Sequence, residues 1–248
     1  SAQIIRNKDW FWSMTLTGGH VMDQIRKISQ GLKNDIDNPY DSSKPKILFV
    51  EGGSQYDIYA MRSAGIDPAT GKEIFIKKNG EYTFKYDENE RVAVGNTNPI
   101  LQGSWMNTVR YKGFSISLAT SYTFGSDYYN STLKNKVENI DLDYNVDRRV
   151  FTDRWKQPGD HTRFLGIGTS SSSSQYSERF VEKSNELYIS SIQVMYDFAP
   201  KAITRLGLRK LAIGFGLSDI AHISTVKFER GTDYPYCRGI NLIFRPTF

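Results

Sequence analysis

The 248-residue sequence predicts an all-β chain, a run of antiparallel strands from the wall of a transmembrane barrel. Three observations carry the prediction. Six segments of about ten residues alternate apolar and polar side chains, the length a tilted strand needs to cross a bilayer. The connections between them alternate long and short, as do the outer loops and inner turns of outer-membrane barrels. The composition holds 15 Tyr and 14 Phe at a mean hydropathy of −0.49. No apolar run approaches the roughly 18 residues of a spanning helix.

The first strand, near 8–18, sets Trp10, Trp12, Met14 and Leu16 against Phe11, Ser13, Thr15 and Thr17. In the second, 99–111, Leu101, Trp105 and Val109 oppose Gln102, Ser104, Thr108 and Arg110. "RYKG" then makes a tight hairpin into the third, 113–124, where Phe114, Ile116, Leu118, Tyr122 and Phe124 alternate with small or polar residues. The fourth, 186–198, loses its parity between Ile189 and Ile192, which predicts a bulge or an inexact register. In the fifth, 208–218, Leu211, Ile213, Phe215 and Leu217 face away from Lys210, Ala212, Gly214 and Gly216. The sixth, 237–248, aligns Ile240, Leu242, Phe244 and Phe248 on one side as a barrel-closing strand.

Trp10, Trp12, Trp105, Tyr122 and Phe124 fall near strand ends and predict an interfacial aromatic girdle. The long connections, 21–98, 125–184 and 219–236, become outer loops, and counting sides puts both chain ends in the periplasm. Alternation with long loops also describes soluble sandwiches and propellers, so a soluble β-rich carbohydrate-binding module stays open here. About eight strands are the minimum for a membrane barrel, so six would be only part of a wall.

Little in the sequence points to catalysis. The net charge of +5 comes from scattered Lys and Arg among 27 acids, which argues against nucleic acid as a partner. Cys237 has no second cysteine to pair with, and His20, His161 and His222 lack metal-ligand spacing. Asp153 and Asp160 in "DRWKQPGD" read as a folded turn rather than a glycosidase pair, and the acidic stretch 138–149 reads as a solvated loop without the glycine of a calcium loop. Ser170 to Ser174 reads as a linker. The expectation is a non-enzyme without cofactor or metal.

Five stretches, in order, carry a resemblance: "SAGIDPATGKEIFIKKNGEYT", "VGNTNPILQGSWMNTVRYKGFSISLATSYTFGSDYYN", "DRWKQPGDHTRF", "SERFVEKSNELYISSIQVMYDFAPKAITRLGLRKLAI" and "RGTDYPYCRGINLIFRPTF". Together they resemble the C-terminal portion of the SusC/RagA family of TonB-dependent outer-membrane transporters of Bacteroidota. The wording departs from the family's at "KSNELYIS" and "SDIAHIS". The resemblance implies the last six or so strands of a barrel of the 22-stranded type. It implies import of oligosaccharides or peptides, a SusD-like surface lipoprotein as lid, and TonB coupling through a portion not in this chain. The N-terminal plug and earlier strands are then expected from a separate or missing segment, as in a split or nicked transporter. A SusC-like scaffold in an outer-membrane assembly or secretion complex is the alternative role. Tyr128, Tyr129, Tyr144 and Trp155, in the long loop, are the candidate ligand or lid contacts.

Overall fold

A computed structural model describes all residues except 33–48, 141–142, 144, 169–174, 205–206 and 228–237. The stretch containing Cys237, the whole serine run Ser170 to Ser174 and Tyr144 therefore lie outside the described residues. Its main element is a seven-stranded antiparallel sheet in the order β1 (Ala2–Arg6), β2 (Trp10–Gly19), β8 (Leu101–Tyr111), β9 (Phe114–Tyr129), β10 (Val181–Asp197), β11 (Lys210–Ser224) and β12 (Gly239–Thr247). Two small sheets lie between β2 and β8. One pairs β3 (Asp57–Ala60) with β7 (Val92–Asn96), and the other joins β4 (Arg62–Ile66), β5 (Glu73–Ile76) and β6 (Tyr82–Thr83). Helices α1 (Ser131–Val137) and α2 (Arg149–Thr152) follow β9, and α3 (Pro200–Ile203) links β10 to β11. No described helix is long and apolar enough to cross a membrane.

The six expected strands are present, and the structure corrects their number and bounds. A seventh strand, β1, precedes them, paired with β2 through the Asn7–Asp9 turn. Asn7 holds that turn by accepting from the backbone N–H of Asp9 at 3.1 Å and of Trp10 at 2.7 Å. β1 escapes the alternation test because it is five residues long and bulges between Gln3 and Ile5, which puts two isoleucines side by side. Consequently Ser1 does not sit at the short-turn end. Its hydroxyl meets that of Thr15 at 3.0 Å, partway up β2, whereas Thr247 pairs with Lys210 at the short-turn end.

β9 runs five residues past the expected end and β10 begins five residues early, so the loop between them shortens to 130–180. β11 likewise continues through "DIAHIS" to Ser224, because β10 is long enough to keep pairing with it. At ~3.3 Å per residue these strands outreach the ~25 Å apolar band of a membrane barrel and rise into the loop layer.

The parity slip in β10 is a bulge. Ile192 pairs with Leu118 and Ile189 with Thr120, so Ser190 is the extra residue, and Ile189 and Leu187 return to the apolar face. That face then reads across the sheet as Trp10, Tyr111, Phe114, Tyr196, Ile213 and Phe244, and one step up as Trp12, Val109, Ile116, Val194, Phe215 and Leu242. Among the described residues nothing covers it: Phe114 is 53% exposed, Phe244 66% and Leu242 85%.

The fully buried apolar side chains, by contrast, lie in the loops and small sheets. Leu133, Val137, Phe164 and Phe180 form a cluster with Tyr129 against it, and Met61, Phe75 and Val150 are also buried. A soluble sandwich would bury the apolar face of its main sheet under a second layer. This sheet has none among the described residues, and the folded core sits at one end of the strands.

Candidate functional site

The sheet offers two surfaces of different chemistry, and the loops build a platform at their upper end. On the apolar surface Trp10 packs on Tyr111 with ring centroids 4.4 Å apart, and Phe114 on Tyr196 at 4.6 Å, a belt at the short-turn end. Toward the loops, Tyr122 stacks on Phe124 at 5.6 Å, with Trp105 41% exposed nearby on the same face. Two aromatic levels separated by aliphatic residues fit a girdled membrane wall. Trp12 lies one step inside the lower belt, its indole N–H donating to Asn107 at 3.3 Å.

The loop platform is held by buried charge. Arg179, in the turn before β10, pairs with Glu73 of β5 at 2.7 Å and with Glu138, just past α1, at 2.9 Å. All three side chains are at most 7% exposed. Ser177 adds a short hydrogen bond to Glu73, and the Leu165 N–H donates to Glu138 at 2.8 Å. Burial disfavours the Arg179 charge, but Glu73 and then Glu138 more than offset this and hold its pKa above the ordinary range. The stretch 138–149, expected as a solvated loop, thus supplies a buried ligand to this network through Glu138.

Arg154 is buried without an ion pair among its hydrogen bonds. It donates to the carbonyls of Leu165 at 2.7 Å, Gly166 at 2.8 Å and Val137 at 3.1 Å, so one guanidinium closes three open backbone acceptors. Lys134 of α1 is also buried. Its ammonium donates to the Gln175 carbonyl at 2.8 Å and lies 4.7 Å from the centre of the Tyr176 ring. Burial pushes its pKa down to about 8.

Two of the stretches singled out in the sequence dock on one another here. In "DPATGK", Asp67 accepts from the Ala69 N–H at 3.1 Å and the Thr70 hydroxyl at 2.6 Å, folding the turn that presents Gly71. The Trp155 ring of "DRWKQPGD" lies on Gly71 so closely that an added Cβ would meet it at 2.4 Å, and Gly71 has φ +69°, which favours glycine. The Trp155 indole N–H donates to the Pro68 carbonyl at 2.9 Å. Asp160 accepts from the Lys156 and Gln157 N–H groups at 3.0 and 3.1 Å, as the turn reading of "KQPGD" expects.

Of the candidate contacts, the three described ones have different surroundings. Trp155 is committed to the Gly71 turn, and Tyr129 packs with Tyr176 and Phe180 inside the platform. Tyr128 is half-buried opposite Glu182 on the polar parity of β9 and β10, and Tyr144 lies outside the described residues.

Below the platform, the polar surface carries a site the sequence did not mark. Ser121, Thr123, Glu186, Tyr188 and His222 line an open pocket of about 310 Å³. His222 Nε2 meets Glu186 at 2.9 Å, the Ser184 hydroxyl donates to Glu186 at 2.8 Å, and the Tyr188 hydroxyl donates to Asp219. Tyr188 and His222 are edge to face at 5.9 Å. The signal was the alternate-residue spacing of Glu186 and Tyr188, but the expected end of β11 at 218 hid their cross-strand partner His222. Among the described residues no group of His, Cys, Asp and Glu has the arrangement to hold a metal ion.

No protein-family model matches the chain. Among curated proteins, TonB-dependent receptor P39 of Formosa agariphila is 25% identical over 188 residues, which are 73% of this chain and 18% of that protein. Among solved structures, one of the RagAB peptide transporter superposes on 90% of this chain and 25% of its own, with a TM-score of 0.72 at 17% identity. A second, the RagAB peptide importer in an open-open state, gives 0.71 at 18% identity over 90% of this chain and 24% of its own. The chain thus spans a quarter or less of the length of the proteins it matches.

Proposed function

We infer that this chain, SusC/RagA-like in sequence and fold, supplies part of the wall and outer loops of a TonB-dependent outer-membrane importer. The observation that carries the reading is the uncovered apolar face of the seven-stranded sheet, with aromatic residues at two levels and the only buried apolar cluster among the described residues lodged in the loops. Such a sheet is stable where lipid covers that face and further strands pair with its free edges, β1 and β12. The remaining wall, the plug and the TonB contact would come from sequence outside this chain. The cargo would be oligosaccharides or peptides, taken up beneath a SusD-like lipoprotein that seats on the loop platform. Tyr128, half-buried at the top of the polar face, is the proposed contact nearest the opening.

Affinity purification of the whole protein from native outer membranes tests this. The expected result is an outer-membrane protein that co-purifies with a SusD-like lipoprotein and whose deletion abolishes growth on one glycan or peptide source. Recovery in the soluble fraction would overturn the barrel reading. Recovery among envelope-assembly proteins with uptake intact would replace import by the scaffold role.

A further inference from the structure

The pocket on the polar face has a chemistry that a passive wall does not require. Two of its lining donors, the Tyr188 hydroxyl and the His222 ring, are turned onto carboxylates. Ser184 and His222 occupy one site on each Glu186 oxygen, and the Tyr188 hydroxyl is taken by Asp219. A carboxylate offers about four acceptor sites, so Glu186 keeps capacity toward the opening. Ser121 and Thr123 add hydroxyl oxygens, Tyr188 adds a ring face, and neither Lys nor Arg is among the lining residues.

The local backbone supports a built site. Between the Ile189–Ala221 and Ser191–Ser218 pairs the ladder of β10 and β11 is interrupted, and Asp219 adopts φ +55°. That is the left-handed region, which among residues other than glycine aspartate and asparagine adopt most readily. Bulges re-aim side chains, and this one sets Asp219 beneath the Tyr188 hydroxyl.

We propose that this pocket binds a guanidinium or primary ammonium group. Several N–H donors on one cation would satisfy Glu186 by charge-assisted bonds while the Tyr188 ring takes a face. An anion would meet the carboxylate instead. The inference rests on the polar face being the barrel interior. The cation can belong to a solute or to a Lys or Arg side chain from another part of the same protein that enters the interior.

The test uses the full-length protein in detergent, titrated calorimetrically with Nα-acetyl-arginine amide and its neutral citrulline analogue, beside a high-resolution structure of the same preparation. A solute site binds the arginine probe at least tenfold more tightly than the citrulline one, and Glu186→Gln removes that preference. A site filled from within gives no binding but shows a Lys or Arg nitrogen within about 3.2 Å of a Glu186 oxygen. Equal binding of both probes, or no binding with no such nitrogen near Glu186, overturns the proposal. Membrane fractionation separately decides the barrel reading.

Discussion

Gly71 shows how a single position ties the loops together. The Trp155 ring occupies the space where a side chain would begin, 2.4 Å from the Cβ position, and φ is +69°. Gly71→Ala must displace the ring and strain the turn, and overpacking of this kind costs about 1–3 kcal/mol. The expected outcome is faster proteolytic nicking of the loop layer, with the sheet unchanged in circular dichroism. Lys134 makes a pH-dependent contribution with a definite sign. Its folded pKa is pushed down to about 8, while an unfolded lysine titrates near ~10.4. Below pH 8 both states hold the proton and the burial penalty is fully present. Between about pH 8 and 10 the folded state releases it first, so the platform gains stability as pH rises. Lys134→Met is expected to flatten that slope in urea titrations read by Trp155 fluorescence. Arg179 is the costlier loss. Removing it leaves Glu73 and Glu138 buried and unpaired, a change of about 3–5 kcal/mol, so Arg179→Met is expected to melt the platform outright.

Among the elements, strands and loops differed in how readable they were. The strands were legible because a wall with one apolar and one polar face imposes a period of two, and even the slip near Ile189 marked the Ser190 bulge. β1 was not legible, being short and bulged. Nor was the upper half of β11, because Ser218, His222 and Ser224 share the polar parity and leave only Ala221 and Ile223 to signal the other face. The platform was the least legible. Its buried ion pairs join Glu73, Glu138 and Arg179 across separations of 41 and 106 residues, and nothing local in the sequence specifies that meeting. The bulge itself is testable. Deleting Ser190 and Ser191 together would put Glu186 and Tyr188 on the lipid parity and Leu187 and Ile189 on the polar one, whereas deleting Ser190 alone closes the bulge and keeps every face. The expected outcome is failure of the double-deletion barrel to resist unfolding in cold detergent on gel electrophoresis, whereas the Ser190 deletion and Ser190→Ala are tolerated.

For the molecule as a whole, the central claim is that lipid covers the face carrying Trp10, Trp12, Trp105, Phe215 and Leu242. An arginine at the bilayer midplane of a barrel costs about 2–4 kcal/mol. Leu242→Arg is therefore expected to block insertion, while Asn241→Arg, one residue along on the polar parity, leaves it unaffected. The most direct measurement exploits the four tryptophans, three on this face and Trp155 in the loop platform. The protein would be reconstituted into vesicles of brominated phospholipid in versions that retain one tryptophan each. The account requires strong quenching of Trp10, Trp12 and Trp105 and little of Trp155. Equal quenching of all four, or none on the three sheet positions, would contradict it.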